Sequence, residues 1–236
     1  RWQESIALSS YVLNENLPAY GPNRFPMLRL GVNGAICCWI VDELDLCRRF
    51  LNWSAPIHAS TDFSDKNFQV YHDYLSRLLE WRQHHSEYYM GEENSSVCYI
   101  VGDSHCLSPS GVRLKDGSKV VPRLVMGCKA YHLGHKITQY WRSFEFVTAN
   151  IPNWAKVIFS FGEIDCRHNE GILKAINSTE NNNLEFFVSK LVLGYIDALE
   201  EKIYNKEWNV FFQGVPAPNI EETIDNKNKE LLINTV

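Results

Sequence analysis

The chain has 236 residues, 45% hydrophobic and 13% aromatic, with a net charge of −5 and a pI near 5.9. That composition supports a sizeable core and is far from a disordered profile, while the slight acidity offers no basic field for nucleic acid or an anionic membrane. No apolar run approaches the roughly 18 residues of a membrane span.

Seven cysteines form no disulfide-framework spacing, and most lie in apolar stretches where a thiol behaves as a small hydrophobe. With no signal peptide following Arg1-Trp2, and with Asn52, Asn94 and Asn177 as chance-level glycosylation matches, the sequence reads as cytoplasmic.

Residues 1–90 read as an all-helical extension. Met27–Val41 is apolar-rich, and Asp42-Glu43 opens a second helix carrying Leu44, Leu46, Cys47, Phe50 and Leu51 at helical spacing until Pro56 stops it. A third helix starts at Ser64 or Asp65 and runs to about His84, with Phe68, Tyr71, Tyr74, Leu75, Leu78 and Leu79 on one face. Residues 33–55 loosely resemble one tetratricopeptide helix pair. A single repeat cannot bury its own face, so such a unit would end a longer array, cap the next domain or dock a protein partner. The alternative is an irregular helical extension.

A polar, turn-rich stretch over residues 84–96 marks a domain junction, and residues 96–236 read as an α/β domain. Val97–Val101, Val157–Phe161 and Trp208–Phe212 are short apolar runs that each end at or near a glycine, the pattern of buried strands. Helical segments over about 135–149 and 183–205 separate the later runs. Strand, helix, strand, helix, strand predicts a parallel sheet flanked by helices. Between them, Val112–Leu114, a Lys115-Asp116-Gly117 turn and Val120-Val121 read as a β-hairpin. Glu221–Val236 reads as an amphipathic helix calling for a further strand, so the domain is expected to continue.

In an open parallel sheet, ligands gather beyond the carboxyl ends of the strands. Those ends carry Gly102-Asp103-Ser104-His105, Gly162-Glu163-Ile164-Asp165-Cys166-Arg167-His168, and Gln213-Gly214 leading into a Pro-rich run. Polar and ionisable residues gathered there make a candidate site. Each also has a structural alternative: Asp103 as a turn cap, Glu163, Asp165 and Arg167 as an ion-pair network, and Cys106 and Cys166 as packed thiols. Cys128, His132 and His135 have ligand-like spacing without a matching second pair, so no metal is assigned.

Gly-Asp-Ser after a first buried strand, with Gly162-Glu163-Ile164-Asp165 after a later one, resembles the SGNH/GDSL hydrolases over roughly residues 97–220. The Gly-Glu-Ile-Asp-Cys-Arg string resembles a divergent SGNH-like branch. The resemblance implies a three-layer, flavodoxin-like fold, with Ser104 as nucleophile beside Asp103 and no cofactor. It implies a serine esterase acting on a small polar or carbohydrate ester. The oxyanion and substrate-binding residues would be Gly127 (or Gly134), Gly162, Glu163, Arg167 and His105.

Two departures bear on activity. Ile164 stands where the family has an Asn donor, and no His follows His168 to complete a terminal Asp-x-x-His block. The base then comes either from beyond the present chain or from Asp165 and His168, themselves spaced as Asp-x-x-His. Two other readings stay open. One is a non-catalytic binding or scaffolding module. The other is a metallophosphoesterase-like enzyme using Asp103 and His105 as ligands.

Overall fold

Close approach between small and aromatic side chains decides how the first helices meet. The computed structural model describes residues 24–59, 66–91, 96–167, 170–178 and 183–215, besides the single residue Leu13. Helix α1 (Arg24–Ile40) is nearly apolar and buries Leu28, Val32 and every residue from Gly34 to Ile40, as a central helix should. Helix α2 (Leu44–His58) is amphipathic, burying Cys47, Phe50, Leu51, Ser54 and Ile57. A Cβ at Gly31 would lie 2.8 Å from Ser54 Cβ, and one at Gly34 would lie 2.9 Å from the Phe50 ring. Both glycines are therefore what lets α1 and α2 pack so closely. Helix α3 (Lys66–His84) adds Leu75, Leu79 and His72 to this core and leads into a 3₁₀ turn, Ser86–Tyr89.

One boundary differs from the sequence expectation. Pro56 does not stop α2, which continues to His58. In the last turn, proline's missing N–H forfeits only one intrahelical bond, and Ala59 N–H still closes the helix on the Ala55 carbonyl at 2.9 Å.

The chain divides into two compact units, Arg1–Ser95 with Ser110–Gly117, and Ser96–Pro109 with Ser118–Val236. In the first, Arg113 N–H donates to the Tyr88 carbonyl at 2.8 Å, tying segment 110–117 to the helices' end. The expected Asp116-Gly117 turn is present, with Gly117 at φ +82° and its N–H bonded to the Leu114 carbonyl at 2.9 Å. The hairpin is not. Lys119–Leu124 runs parallel to the first strand instead of returning along 112–114.

The second unit holds a four-stranded, all-parallel sheet, β1 (Val97–Gly102), β2 (Lys119–Leu124), β3 (Lys156–Ser160) and β4 (Asn209–Phe212), in the order β2-β1-β3-β4. Pro122 fits because β2 is an edge strand among the described residues, where a missing N–H costs no ladder bond on the open side. Register places Tyr99, Val101, Val157 and Phe159 on one face. That face meets helices α4 (Ala130–Gly134), α5 (Thr138–Thr148) and α7 (Leu184–Lys206) in a core containing Leu133, Phe144, Tyr195, Leu199 and Trp208. The short helix α6 (Ile172–Asn177) packs beside α7. In this order the chain winds outward in opposite directions from β1 and β3, so the topological switch point, where such sheets form their ligand crevice, lies between the ends of those two strands.

Candidate functional site at the strand ends

Gly102 is glycine for a packing reason. A Cβ there would run into the Ser160 carbonyl oxygen on β3 and lie 2.9 Å from Ser160 Cβ. Beyond it, the Asp103 backbone N–H donates to that same carbonyl at 3.2 Å, so the first residue past β1 is still anchored to β3. Asp103 is wholly buried and caps the 3₁₀ turn Ser104–Leu107, its Oδ1 accepting the His105 N–H at 2.9 Å. Ser104 opens that turn half-buried, at the switch point.

The same Asp103 oxygen also receives His105 Nδ1 at 2.9 Å, and Glu163 Oε2 lies 3.8 Å from that nitrogen. The Asp103 hydrogen bond, reinforced by the negative charges of Asp103 and Glu163, raises the His105 pKa above the ordinary histidine value; burial opposes this. Asp103 Oδ2 is buried and has no hydrogen-bond partner among the described residues, so His105 is its side chain's main neutralising contact. Glu163 is held from the other side. Arg167 Nε donates to its Oε1 at 3.0 Å and Nη2 to its Oε2 at 2.8 Å, a forked pair four residues apart across the 3₁₀ turn Ile164–Cys166. The result is a chain of alternating charge, Asp103–His105–Glu163–Arg167, across the ends of β1 and β3.

The ligand-type atoms of Asp103, His105 and Glu163 lie within 4.8 Å of one another. As a donor set they fit a cation poorly. Both Glu163 oxygens are engaged by a guanidinium that would sit beside the ion, and His105 turns its Nδ1 to Asp103.

Asp165 has a different setting. It is 1% exposed, and its oxygens accept the first amides of α4, Ala130 N–H at 2.7 Å and Tyr131 N–H at 3.2 Å. Burial pushes its pKa up to about 6 even though these two bonds favour the carboxylate. This cap fixes the loop from β2 to α4, which contains Gly127. Gly127 is exposed at φ +65°, a conformation favouring glycine, with open space where a Cβ would be.

Gly162 also has positive φ, +115°. With Asp103, His105, Ser160 and Glu163, the β4 end (Gln213, Gly214, Val215) lines a niche of only about 10 Å³, room for about one water. Asp165 lines a separate cavity of about 500 Å³ between α4, α6 and α7. Ser104 lines neither of these two spaces, and the carboxylate of Asp165 is claimed by the amides of α4. His168 and the Pro-rich run at 216–218 lie outside the described residues.

Cys106, Cys128 and Cys166 are buried, and burial pushes the Cys166 thiol up to about 11, as suits packed thiols. His132 accepts the Lys129 N–H through Nδ1 at 3.2 Å and stacks on Tyr140, while His135 stacks on Tyr131; neither converges with Cys128.

The sequence reading missed the lysines of the larger cavity, Lys129, Lys174 and Lys190, and the buried Tyr195, whose hydroxyl has no partner among the described residues. Lys129 precedes α4, and Lys174 and Lys190 lie on α6 and α7; no local pattern shows how these helices pack together. Comparison with family models, curated proteins and solved structures gives no match, so the functional reading rests on this chain's own residues and geometry.

Proposed function

We propose that the α/β unit is an acyl-ester hydrolase of the SGNH type. The observation that carries this reading is the setting of Ser104, a half-buried hydroxyl residue opening the turn after β1 at the topological switch point, held there by the Asp103 cap. Ser104 Oγ attacks the ester carbonyl and its proton passes to a histidine, which returns it to the departing alcohol as the ester C–O bond breaks and leaves the acyl group on Ser104. The backbone N–H groups of Ser104 and Gly127 stabilise the oxyanion. Water then releases the acyl group from the serine. Within these 236 residues, His168 is the candidate base. His105, fixed by Asp103 and Glu163, together with Arg167 supplies positive charge to a small polar or carbohydrate ester. With Ile164 in place of an amide donor, turnover is about 100- to 1,000-fold slower than with a full oxyanion hole.

Hydrolysis of p-nitrophenyl acetate tests it. The expected result is turnover that survives chelation with EDTA and disappears in Ser104→Ala. Turnover of bis-p-nitrophenyl phosphate that requires a divalent ion would replace the reading with metal-dependent phosphoester chemistry. No turnover of either ester by a folded chain would leave a binding or scaffolding module.

A further inference from the structure

The cavity of about 500 Å³ beside Asp165 lies within the size range of small-molecule sites, and the hydrolytic reading makes no use of it. Its walls are apolar: Ile172 and Ala175 from α6, and Phe187 and Leu191 from α7. Its ionisable groups divide sharply. Both carboxylates that line it among the described residues are already engaged, Asp165 by two amides of α4 and Glu170 by Lys129 at 3.3 Å and Arg167 at 3.4 Å. Two of its cations are not. Lys174 on α6 and Lys190 on α7 are exposed, with no ion-pair or hydrogen-bond partner among the described residues. His132 adds no charge at neutral pH, because burial and the nearby Lys129 lower its pKa.

A ligand matching this distribution has its charge outside and its carbon inside. The buried Asp165 carboxylate repels an anion, whereas Lys174 and Lys190 attract one. Exposed ammonium groups keep most of their hydration, so the head group alone gains little and the apolar body must supply much of the affinity. We infer that this cavity binds an organic anion, a carboxylate or phosphate monoester carried on a compact apolar body, with its acidic group held between Lys174 and Lys190. The assignment stands apart from the hydrolase reading, since it concerns binding without bond cleavage.

Calorimetric titration of the whole chain with octanoate, acetate and octylamine tests the inference, because none of these probes carries an ester. Octanoate should bind one to one, while acetate, lacking the body, and octylamine, carrying the opposite charge, should not. The double substitution Lys174→Glu with Lys190→Glu changes only exposed side chains. It should weaken octanoate about tenfold at low ionic strength, and less at about 0.5 M salt, where screening is strong. Ala175→Phe, which places a ring in the cavity, should abolish binding. Failure of octanoate to bind, equal binding of octylamine, or indifference to the lysine reversal would each overturn the assignment.

Discussion

Asp103 and Asp165 are both buried at carboxyl ends of neighbouring strands, one after β1 and the other after β3, yet their partners differ in kind. Asp103 faces an imidazole that can carry charge, whereas Asp165 faces two backbone amides that cannot. A buried carboxylate paired with a titratable group belongs to a site that can move protons or attract a polar ligand. One consumed by helix amides is a fastener, and here it fastens the loop bearing Gly127. Sequence neighbourhood to a glycine-ended strand made the two look alike; only the partners separate them.

The sharpest way to break this comparison is to remove the fastener. Asp165→Ala leaves the Ala130 and Tyr131 amides without their acceptor, and should destabilise the α/β unit by about 2–4 kcal/mol in urea denaturation. A loss below about 0.5 kcal/mol would mean that the cap is dispensable.

The pH dependence sharpens the same point. The Asp165 pKa is raised from 3.8 to about 6, so between those values the native state binds a proton that the unfolded chain releases. Stability from this group therefore grows as pH falls through about 6 and is lost as pH rises through it. Relative to Asp165→Asn, which does not titrate, the wild type should gain about 2–3 kcal/mol between pH 7 and pH 4. A flat difference across that window would contradict the burial argument.

The smallest effect is expected at Asp103. Asp103→Asn should lower the His105 pKa, read from its imidazole proton shifts by NMR, because the hydrogen bond His105 makes to the Asp103 carboxylate is the largest influence raising it. The stability that His105 contributes is present below the ordinary histidine pKa and is lost as pH rises through its raised folded value. The substitution should reduce that contribution. An unchanged His105 titration would show that Glu163 alone holds the ring.

How much of this was legible in the sequence follows from which patterns are local. The strands at Val97–Gly102, Lys156–Ser160 and Asn209–Phe212 were readable because buried parallel strands are continuous apolar runs. Lys119–Leu124 was not, since Lys119, Pro122 and Arg123 interrupt it; an edge strand tolerates what a central one would not. The Asp116-Gly117 turn was read correctly, but its partner strand was misassigned, because an Asp-Gly turn says nothing about whether the next strand returns or crosses over. At the site, the Gly-Asp-Ser and Gly-Glu-Ile-Asp blocks were visible as strand-end residues. The capture of Asp165 by α4, 34 residues away from Tyr131, is a tertiary fact that no local pattern carries.

The central claim, that Ser104 is an activated nucleophile at the switch point, is tested most directly with a fluorophosphonate probe and peptide mass spectrometry. Such probes phosphonylate serines whose hydroxyl is deprotonated by a neighbouring base, and leave ordinary serines alone. The account predicts a covalent adduct on the peptide containing Ser104, absent from Ser104→Ala and unaffected by EDTA. A folded chain that remains unlabelled at Ser104, or that is labelled equally in Ser104→Ala, would contradict it.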